Sequence, residues 1–186
     1  MQIAEKQESS KETISEDSKK NYIKLSQSKV RLFLFVCYNL KKELYKMSKI
    51  AVVYRSMTGH SKKIAKAIAA ELKAEAQNVK QKPQLDDIDL LFIVGGIYSG
   101  KSLPEMTDYI KTINNSAVKK AALITSSVSD KKGQDEVRFI LKSNGIEVIE
   151  QEYRCRGNFL FIKMGHPNKK EIAGAVEFAK NILLIL

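Results

Sequence analysis

The stretch IAVVYRSMTGHSKKIAKAIA, residues 50–69, decides the fold of this chain. Its first five residues form a short apolar run that is typical of a buried strand. Farther on, Ile64, Ile68 and then Leu72 recur at four-residue spacing, which places them on one face of an α-helix. A polar turn lies between the two patterns. The stretch therefore predicts a strand, a loop and a helix in direct succession.

The same alternation of short apolar runs and helical stretches continues along the chain. Further strands are predicted at IDLLFIV 88–94, AALIT 121–125 and IEVIEQEY 146–153, with a weaker strand near 78–82. Three more helices are predicted, the first opened by Pro104, the second closed by Asn144-Gly145 and the third following Pro167. Buried parallel strands joined by helical crossovers form a sheet covered on both faces. We therefore predict a doubly wound α/β fold with a parallel sheet of five strands.

The turn at residues 55–61, RSMTGHS, carries groups that bind phosphate. A helix N-terminus exposes unpaired N–H groups and a positive dipole potential. The hydroxyls of Ser56, Thr58 and Ser61 add donors, and Gly59 permits a positive φ. The simpler interpretation is a turn that only caps the helix, with Ser61 or a neighbour as the cap. The position between strand and helix favours phosphate binding, and the absence of the dinucleotide and nucleoside-triphosphate glycine patterns favours a monophosphate.

Residues 50–69 resemble the first strand, FMN phosphate loop and first helix of the flavodoxin family. The resemblance extends over residues 49–186 and implies the strand order 2-1-3-4-5, with FMN as the cofactor. Ligands of such sheets lie beyond the carboxyl ends of the strands at the topological switch point, a rule for which flavodoxins themselves are an example. The resemblance assigns the FMN phosphate to Ser56, Met57, Thr58, Gly59, His60 and Ser61. His60 and Ser61 stand where Asn and Thr are commoner in the family, and both still donate hydrogen bonds.

Two further segments resemble the flavin-flanking loops of that family. The first follows Val94 and consists of Gly95, Gly96, Ile97, Tyr98, Ser99 and Gly100. Its glycines allow the backbone to approach the flavin ring, and Tyr98 or Ile97 offers a surface for one ring face. The alternative is a glycine-rich loop without a ligand, and the neighbouring phosphate loop favours the flavin interpretation. The second consists of Thr125, Ser126, Ser127, Val128, Ser129 and Asp130, and its two first serines are expected at the polar edge of the ring. It lacks the acidic stretch and stacking tyrosine that are common in the family.

Residues 1–46 differ in composition from the rest. The first 29 are polar and predict a disordered tail. The apolar run VRLFLFVCYNL at 30–40 is too short for a membrane-spanning helix and too far from the amino terminus for an ordinary signal peptide. It fits an extra helix, a membrane-surface contact bounded by basic residues, or translated sequence upstream of a true start at Met47. We favour the last, and we predict one FMN-binding domain over residues 47–186.

The net charge and the cysteine content indicate which class of partner and which cellular compartment to expect. The 186 residues carry a net charge of +11, which suits an acidic protein partner or simply a solvated basic surface. No basic run interleaved with aromatic residues appears, so nucleic-acid binding lacks support. Cys37 and Cys155 show no disulfide or zinc spacing, so a reducing cytoplasm is predicted. We interpret Cys155 as a buried strand-end residue and His166, before Pro167, as a helix-entry residue without a catalytic role.

The leading hypothesis is a small FMN protein that passes electrons between redox partners, with no side chain acting as acid or base. One alternative is a flavin-dependent oxidoreductase resembling flavodoxin-like protoporphyrinogen oxidase or quinone reductase. The basic charge favours it, whereas the absence of a long insertion after the third strand disfavours the protoporphyrinogen oxidase resemblance. The other alternative is a non-redox interaction module that has kept the fold and lost the flavin.

Overall fold

A computed structural model describes residues 30–32, 48–127, 133–156 and 166–185. By its contacts the chain divides into two units, Met1–Leu44 and Tyr45–Leu186, and each is described by itself. In the first unit, residues 30–32 are helical and exposed. The disordered tail predicted for residues 1–29 lies outside the described residues. Within the described ranges, no helix is both long and apolar enough to cross a membrane.

The second unit alternates strands and helices. Its strands are β1 (Ile50–Tyr54), β2 (Ala76–Asn78), β3 (Ile88–Tyr98), β4 (Lys101–Ser102), β5 (Val118–Ser127) and β6 (Glu147–Arg156). Its helices are α1 (His60–Glu71), α2 (Pro104–Lys111), α3 (Asp135–Ser143) and α4 (Lys169–Leu184), and a short 3₁₀ turn covers Val79–Gln81.

The sheet has the predicted topology. Its parallel strands lie in the order β2-β1-β3-β5-β6, and the two-residue β4 pairs antiparallel with the end of β3. Counting the parallel strands alone gives the order 2-1-3-4-5, so the predicted doubly wound fold is confirmed. From β1 the chain crosses towards one edge of the sheet, and from β3 it crosses towards the other. The crossovers therefore diverge between β1 and β3, at the carboxyl ends of these strands.

The core lies in two layers, one on each face of the sheet. Helices α2 and α3 cover the face that contains Leu91 and Ile93 of β3. Helices α1 and α4 cover the face that contains Leu90 and Phe92. Successive residues of β3 are thus buried on opposite faces, as a central strand of a covered parallel sheet requires.

The weak strand predicted near 78–82 is displaced. The structure places it at Ala76–Asn78, where it pairs with β1. The side chain of Asn78 accepts a hydrogen bond from Lys80 N at 3.1 Å, which starts the 3₁₀ turn, and Lys82 ends that turn with φ +47°. Local capping by Asn78 therefore ends the strand where the sequence predicts it to begin.

The central strands also run farther than predicted. β3 continues to Tyr98 and β5 to Ser127, because Gly95 pairs with Thr125, Gly96 with Ser126 and Ile97 with Ser127. The prediction of a loop at residues 95–98 and at Ser126 and Ser127 was wrong, whereas Thr125 belongs to a strand as predicted for 121–125. They form the paired ends of two central strands. β6 likewise extends past the predicted Tyr153 to Arg156.

Candidate functional site

Three predicted segments meet at one edge of the sheet. Residues 55–61 follow β1, residues 95–100 end β3 and turn towards β4, and residues 125–127 end β5. Because β1, β3 and β5 are parallel neighbours, their carboxyl ends lie side by side. The structure therefore brings all of the predicted site residues to this edge, whereas Val128, Ser129 and Asp130 lie outside the described residues.

The first segment enters α1 through a left-handed glycine. Gly59 occupies the N-cap position with φ +87°, and no side chain caps this helix in the described structure. The sequence predicted Ser61 or a neighbour as the cap, and the structure gives the N-cap position to the neighbouring Gly59 and not to Ser61. The helix already begins at His60, so Ser61 lies in its first turn and is buried. Gly59 has no side chain and therefore offers no side-chain acceptor to the first amide groups of α1.

Two hydroxyls of this loop are buried and unsatisfied. Ser56 Oγ and Ser61 Oγ have no hydrogen-bond partner within the described part of the chain. Thr58 Oγ1 lies 2.9 Å from His60 Nδ1, and Met57 is 54% exposed. Buried polar atoms normally have partners in proteins. Two unsatisfied donors beside an uncapped helix N-terminus fit a bound anion such as a phosphate monoester.

Arg55 ties the loop to the start of α2. Its side chain is 13% exposed, and its two terminal nitrogens donate to Ser56 O at 2.6 Å and to Glu105 Oε1 at 2.8 Å. Lys80 Nζ lies 3.4 Å from the same carboxylate oxygen. The hydrogen bond from Arg55, together with smaller contributions from the backbone amide of Glu105 and from Lys80, lowers the pKa of Glu105 to about 2. The ion pair between Arg55 and Glu105 therefore connects the loop to the start of α2.

This contact predicts a pH-dependent difference between the wild type and a Glu105→Gln variant. Because folding depresses the pKa of Glu105, the carboxylate stabilises the fold fully above pH 4.5 and loses that contribution as the pH falls towards 2. Urea unfolding at several pH values should show a stability difference at pH 6 that shrinks across this window. Salt should also reduce the difference at pH 6, because Glu105 is 39% exposed. A difference that persists unchanged at pH 2 would contradict this assignment.

Tyr98 links the second segment to the first. Its hydroxyl accepts a hydrogen bond from Met57 N at 3.3 Å. Its ring lies over Gly96, where an added Cβ would approach the ring to 2.7 Å. Ser99 and Gly100 turn the chain into β4 with φ +50° and +84°. Two side chains were predicted to face the flavin ring. Of these, Ile97 is buried, whereas Tyr98 is partly exposed.

The third segment is buried. Thr125, Ser126 and Ser127 all lie below the surface at the end of β5. Thr125 Oγ1 donates a short hydrogen bond to Glu152 of β6. Cys155 lies opposite Ser126, and burial raises the pKa of its thiol to about 12. The interpretation of Cys155 as a buried strand-end residue is confirmed.

Comparison with known proteins shows the family to which this fold belongs. The model of the flavodoxin domain family matches residues 51–173. The chain belongs to the flavodoxin domain family. A Methanocaldococcus jannaschii protein described as uncharacterized is 32% identical in an alignment 148 residues long, which covers 73% of this chain and 98% of that protein.

Solved flavodoxins share its fold. A flavodoxin from the domain Archaea superposes with a TM-score of 0.56 at 15% identity, covering 73% of this chain and 96% of its own. Oxidised flavodoxin 2 from Bacillus cereus superposes with a TM-score of 0.55 at 17% identity, covering 74% of this chain and 98% of its own. At these identities the superpositions support the fold alone.

His166 lies at the entrance to the last helix of this flavodoxin domain. Its Nδ1 is 2.7 Å from Glu171 Oε2, and Glu171 also accepts a hydrogen bond from Asn168 N in a capping box that starts α4. The interpretation of His166 as a helix-entry residue is confirmed.

Sequence reasoning missed the charged and amide groups behind this flavodoxin site. Arg55 and Glu105 are 50 residues apart, and no local pattern joins them. Gln134, fully buried, donates through Nε2 to Ile124 O at 3.1 Å. Glu152 has a side chain only 2% exposed. The one available signal was a charged residue inside a predicted strand, and that signal does not distinguish Glu152 from the exposed Glu150.

A separate cleft of about 700 Å³ lies between residues 79–85 and α2. Its lining includes Pro83 and Tyr109, whose hydroxyl donates to Pro83 O at 2.8 Å. None of the predicted flavin-site residues lines it. The cleft is therefore distinct from the carboxyl edge of the sheet.

Proposed function

We propose that this chain binds FMN and carries electrons between redox partners. The observation that carries the proposal is the pair of unsatisfied buried hydroxyls, Ser56 Oγ and Ser61 Oγ, beside the uncapped start of α1. An apo protein gains nothing from burying two donors without acceptors. A phosphate monoester supplies acceptors for both hydroxyls and a negative charge for the helix dipole. Membership of the flavodoxin domain family makes FMN the natural phosphate monoester.

The chain's own residues have binding and positioning roles. Ser56, Ser61 and the amides around Gly59 hold the phosphate, and Arg55 keeps Ser56 in place through its bond to Ser56 O. Tyr98 offers its ring to one face of the flavin. The backbone of Gly95, Gly96, Ser99 and Gly100 and the end of β5 border the flavin on the remaining sides. When bound, FMN supplies the one- and two-electron redox chemistry, so no side chain is required as a catalytic acid or base.

The proposed partner is a redox protein with an acidic surface. Lys62 and Lys63 in the first turn of α1, Lys101 on β4 and Arg156 at the end of β6 are exposed near the carboxyl edge of the sheet. Basic charges around a redox site accelerate encounters with an acidic partner. Electron transfer to an anionic acceptor such as ferricyanide should therefore slow as salt is added. A rate independent of ionic strength would contradict the proposal.

We also propose the reducing cytoplasm as the compartment of this protein.

The decisive experiment is purification with added FMN, followed by a visible spectrum and a fluorescence titration. Stoichiometric FMN supports the proposal, and absence of both flavin absorbance and titration contradicts it, leaving the non-redox interaction module. Turnover of a quinone or porphyrinogen without any partner protein would replace the carrier with the oxidoreductase alternative.

A matched pair of glycine variants tests the placement of the phosphate. Gly59 and Gly145 both have positive φ, +87° and +77°, and they lie at opposite ends of the sheet. Alanine in a left-handed conformation costs about 1–2 kcal/mol at either position. No protein atom lies within 4 Å of a Cβ at Gly59, so strain in the loop, and not crowding by the protein, is the expected cause.

Gly59→Ala should lower FMN affinity by about tenfold, or about 1.4 kcal/mol, because the free loop of the variant relaxes away from the left-handed conformation and FMN binding must restore it. Gly145→Ala should lower the unfolding free energy by a similar amount and leave FMN affinity unchanged. Titration of both variants measures the two affinities. Equal affinities in the two variants would show that the phosphate is bound elsewhere.

A further inference from the structure

Glu152 is a buried carboxylate behind the end of β5. Its side chain is 2% exposed, although it belongs to β6 at the edge of the sheet. Oε1 accepts hydrogen bonds from Thr125 Oγ1 and from Gln134 N, the latter at 3.0 Å. Oε2 lies 3.3 Å from Arg154 Nη2 and 3.6 Å from Arg138 Nη2. One carboxylate therefore joins the end of β5 to the start of α3.

The surroundings of Glu152 are arranged to admit the carboxylate. A Cβ at Gly133 would lie 2.4 Å from Glu152 Oε2 and 2.8 Å from Arg154 Nη2, so a larger residue there would displace the pair. Gln134 is the residue before the first turn of α3, where the helix dipole favours a negative charge. Arg138, only 16% exposed, also donates to Ile149 O at 2.8 Å, which fixes its guanidinium.

A purely structural role explains this cluster poorly. A buried charge with charged partners is weak evidence for stability, because apolar residues of the same volume often stabilise as well. What the cluster does instead is fix the position of Thr125 directly before Ser126 and Ser127, which border the proposed flavin site. The cluster contains two arginines, Arg138 and Arg154, and one carboxylate, Glu152. Loss of the carboxylate therefore raises the net positive charge of the cluster.

We propose that Glu152 is a positioning residue for the flavin ring: it holds the carboxyl end of β5 in place and offsets the charge of Arg138 and Arg154. This inference rests on the proposed FMN function. It differs from the phosphate loop because Glu152 acts on the ring side of the site. Ring and phosphate contributions are separable with riboflavin, which carries the same ring without the phosphate.

The test compares Glu152→Gln with Glu150→Gln on the same strand. Glu150 has a side chain 80% exposed and pairs with Lys142, so its variant is a matched control. Glu152→Gln keeps the side-chain length but places an amide donor where the two arginines need an acceptor. We expect about a tenfold loss of affinity for both FMN and riboflavin, because a charged hydrogen-bond network behind the ring is broken. The midpoint potential of bound FMN should rise, since the variant removes the negative charge that offsets Arg138 and Arg154 behind the end of β5.

The outcomes separate this inference from the proposed function. A wild-type chain that binds no FMN contradicts the proposed function itself. A wild-type chain that binds FMN, with unchanged flavin affinities and midpoint potential in Glu152→Gln, overturns the role of Glu152. Loss of FMN affinity with riboflavin affinity unchanged also overturns it, because the effect would then lie on the phosphate side.

A second variant covers the case in which Glu152→Gln fails to fold. Thr125→Val keeps the shape of the side chain and removes only its hydrogen bond to Glu152. Thr125→Val should lower the affinities for FMN and for riboflavin by the same factor, and Thr125→Ser should restore both affinities. A Thr125→Val variant with wild-type affinity for both flavins would equally contradict the proposal.

Discussion

Replacing Ser56 and Ser61 together with alanine should weaken FMN binding by about a hundredfold or more, because each hydrogen bond to a charged phosphate contributes roughly 1.5–3 kcal/mol. Both hydroxyls are buried in the loop that follows β1, and neither has a partner in the described structure. Equilibrium titration of the purified variant with FMN measures the loss. Riboflavin affinity should change much less, since riboflavin has no phosphate to receive these bonds.

The double alanine variant should be at least as stable as the wild type when FMN is absent. Serine hydroxyls that are buried without acceptors cost free energy, so removing them is neutral or stabilising for the apo protein. Urea unfolding should therefore show an apo stability equal to or above that of the wild type. Most substitutions at buried positions have the opposite effect.

Ser143→Ala serves as the control for the serine pair. Ser143 is exposed at the last residue of α3, away from the carboxyl edge of the sheet. It should leave both FMN affinity and apo stability unchanged. If the double variant binds FMN as tightly as Ser143→Ala does, the phosphate does not lie at residues 56–61.

Gly95→Ala is expected to lower the free energy of unfolding by about 2 kcal/mol, because it overfills a packed position. A Cβ at Gly95 would lie 2.1 Å from Gln134 Oε1. Gln134 is fully buried, and its Nε2 donates to Ile124 O at 3.1 Å, so moving the amide away disturbs this hydrogen bond and the packing around it. Urea unfolding of the apo protein measures the change.

The adjacent Gly96→Ala is the matched control for this prediction. Its Cβ would meet the ring of Tyr98 at 2.7 Å, on the opposite face of β3. Tyr98 is partly exposed at the end of the strand, so its ring can move aside at a cost of less than about 1 kcal/mol. Equal destabilisation by the two alanines would show that Gln134 does not occupy the position described.

The fold could be predicted because its signals are local. Residues 50–69 contain a strand, a loop and a helix in one continuous pattern, and the run 88–94 is apolar throughout. The extension of β3 over Gly95 and Gly96 could not be predicted in the same way, because glycine has low strand propensity. Pairing with Thr125 and Ser126 of β5 overrides that propensity.

The site was predictable where it follows the chain and not where it depends on tertiary contacts. The predicted phosphate loop is one continuous segment, so its residues could be proposed together from one sequence pattern. Glu150 and Glu152 both lie an even number of residues after Val148, and strand alternation therefore treats them alike. The pairing of β5 with β6 shifts between Ala121 and Leu123, and this irregularity leaves Glu152 buried and Glu150 exposed. No single-sequence pattern reports such a shift.

The hydrogen bond from Met57 N to Tyr98 Oη also has a kinetic consequence. The phenol already occupies one amide of the phosphate loop, so an anion that takes this amide must first wait for the side chain to swing away. Side-chain and loop movements of this kind slow association below the rate of diffusional encounter. In the free protein the amide of Met57 is thus already paired, and an anion gains its hydrogen bond only by displacing Tyr98 Oη.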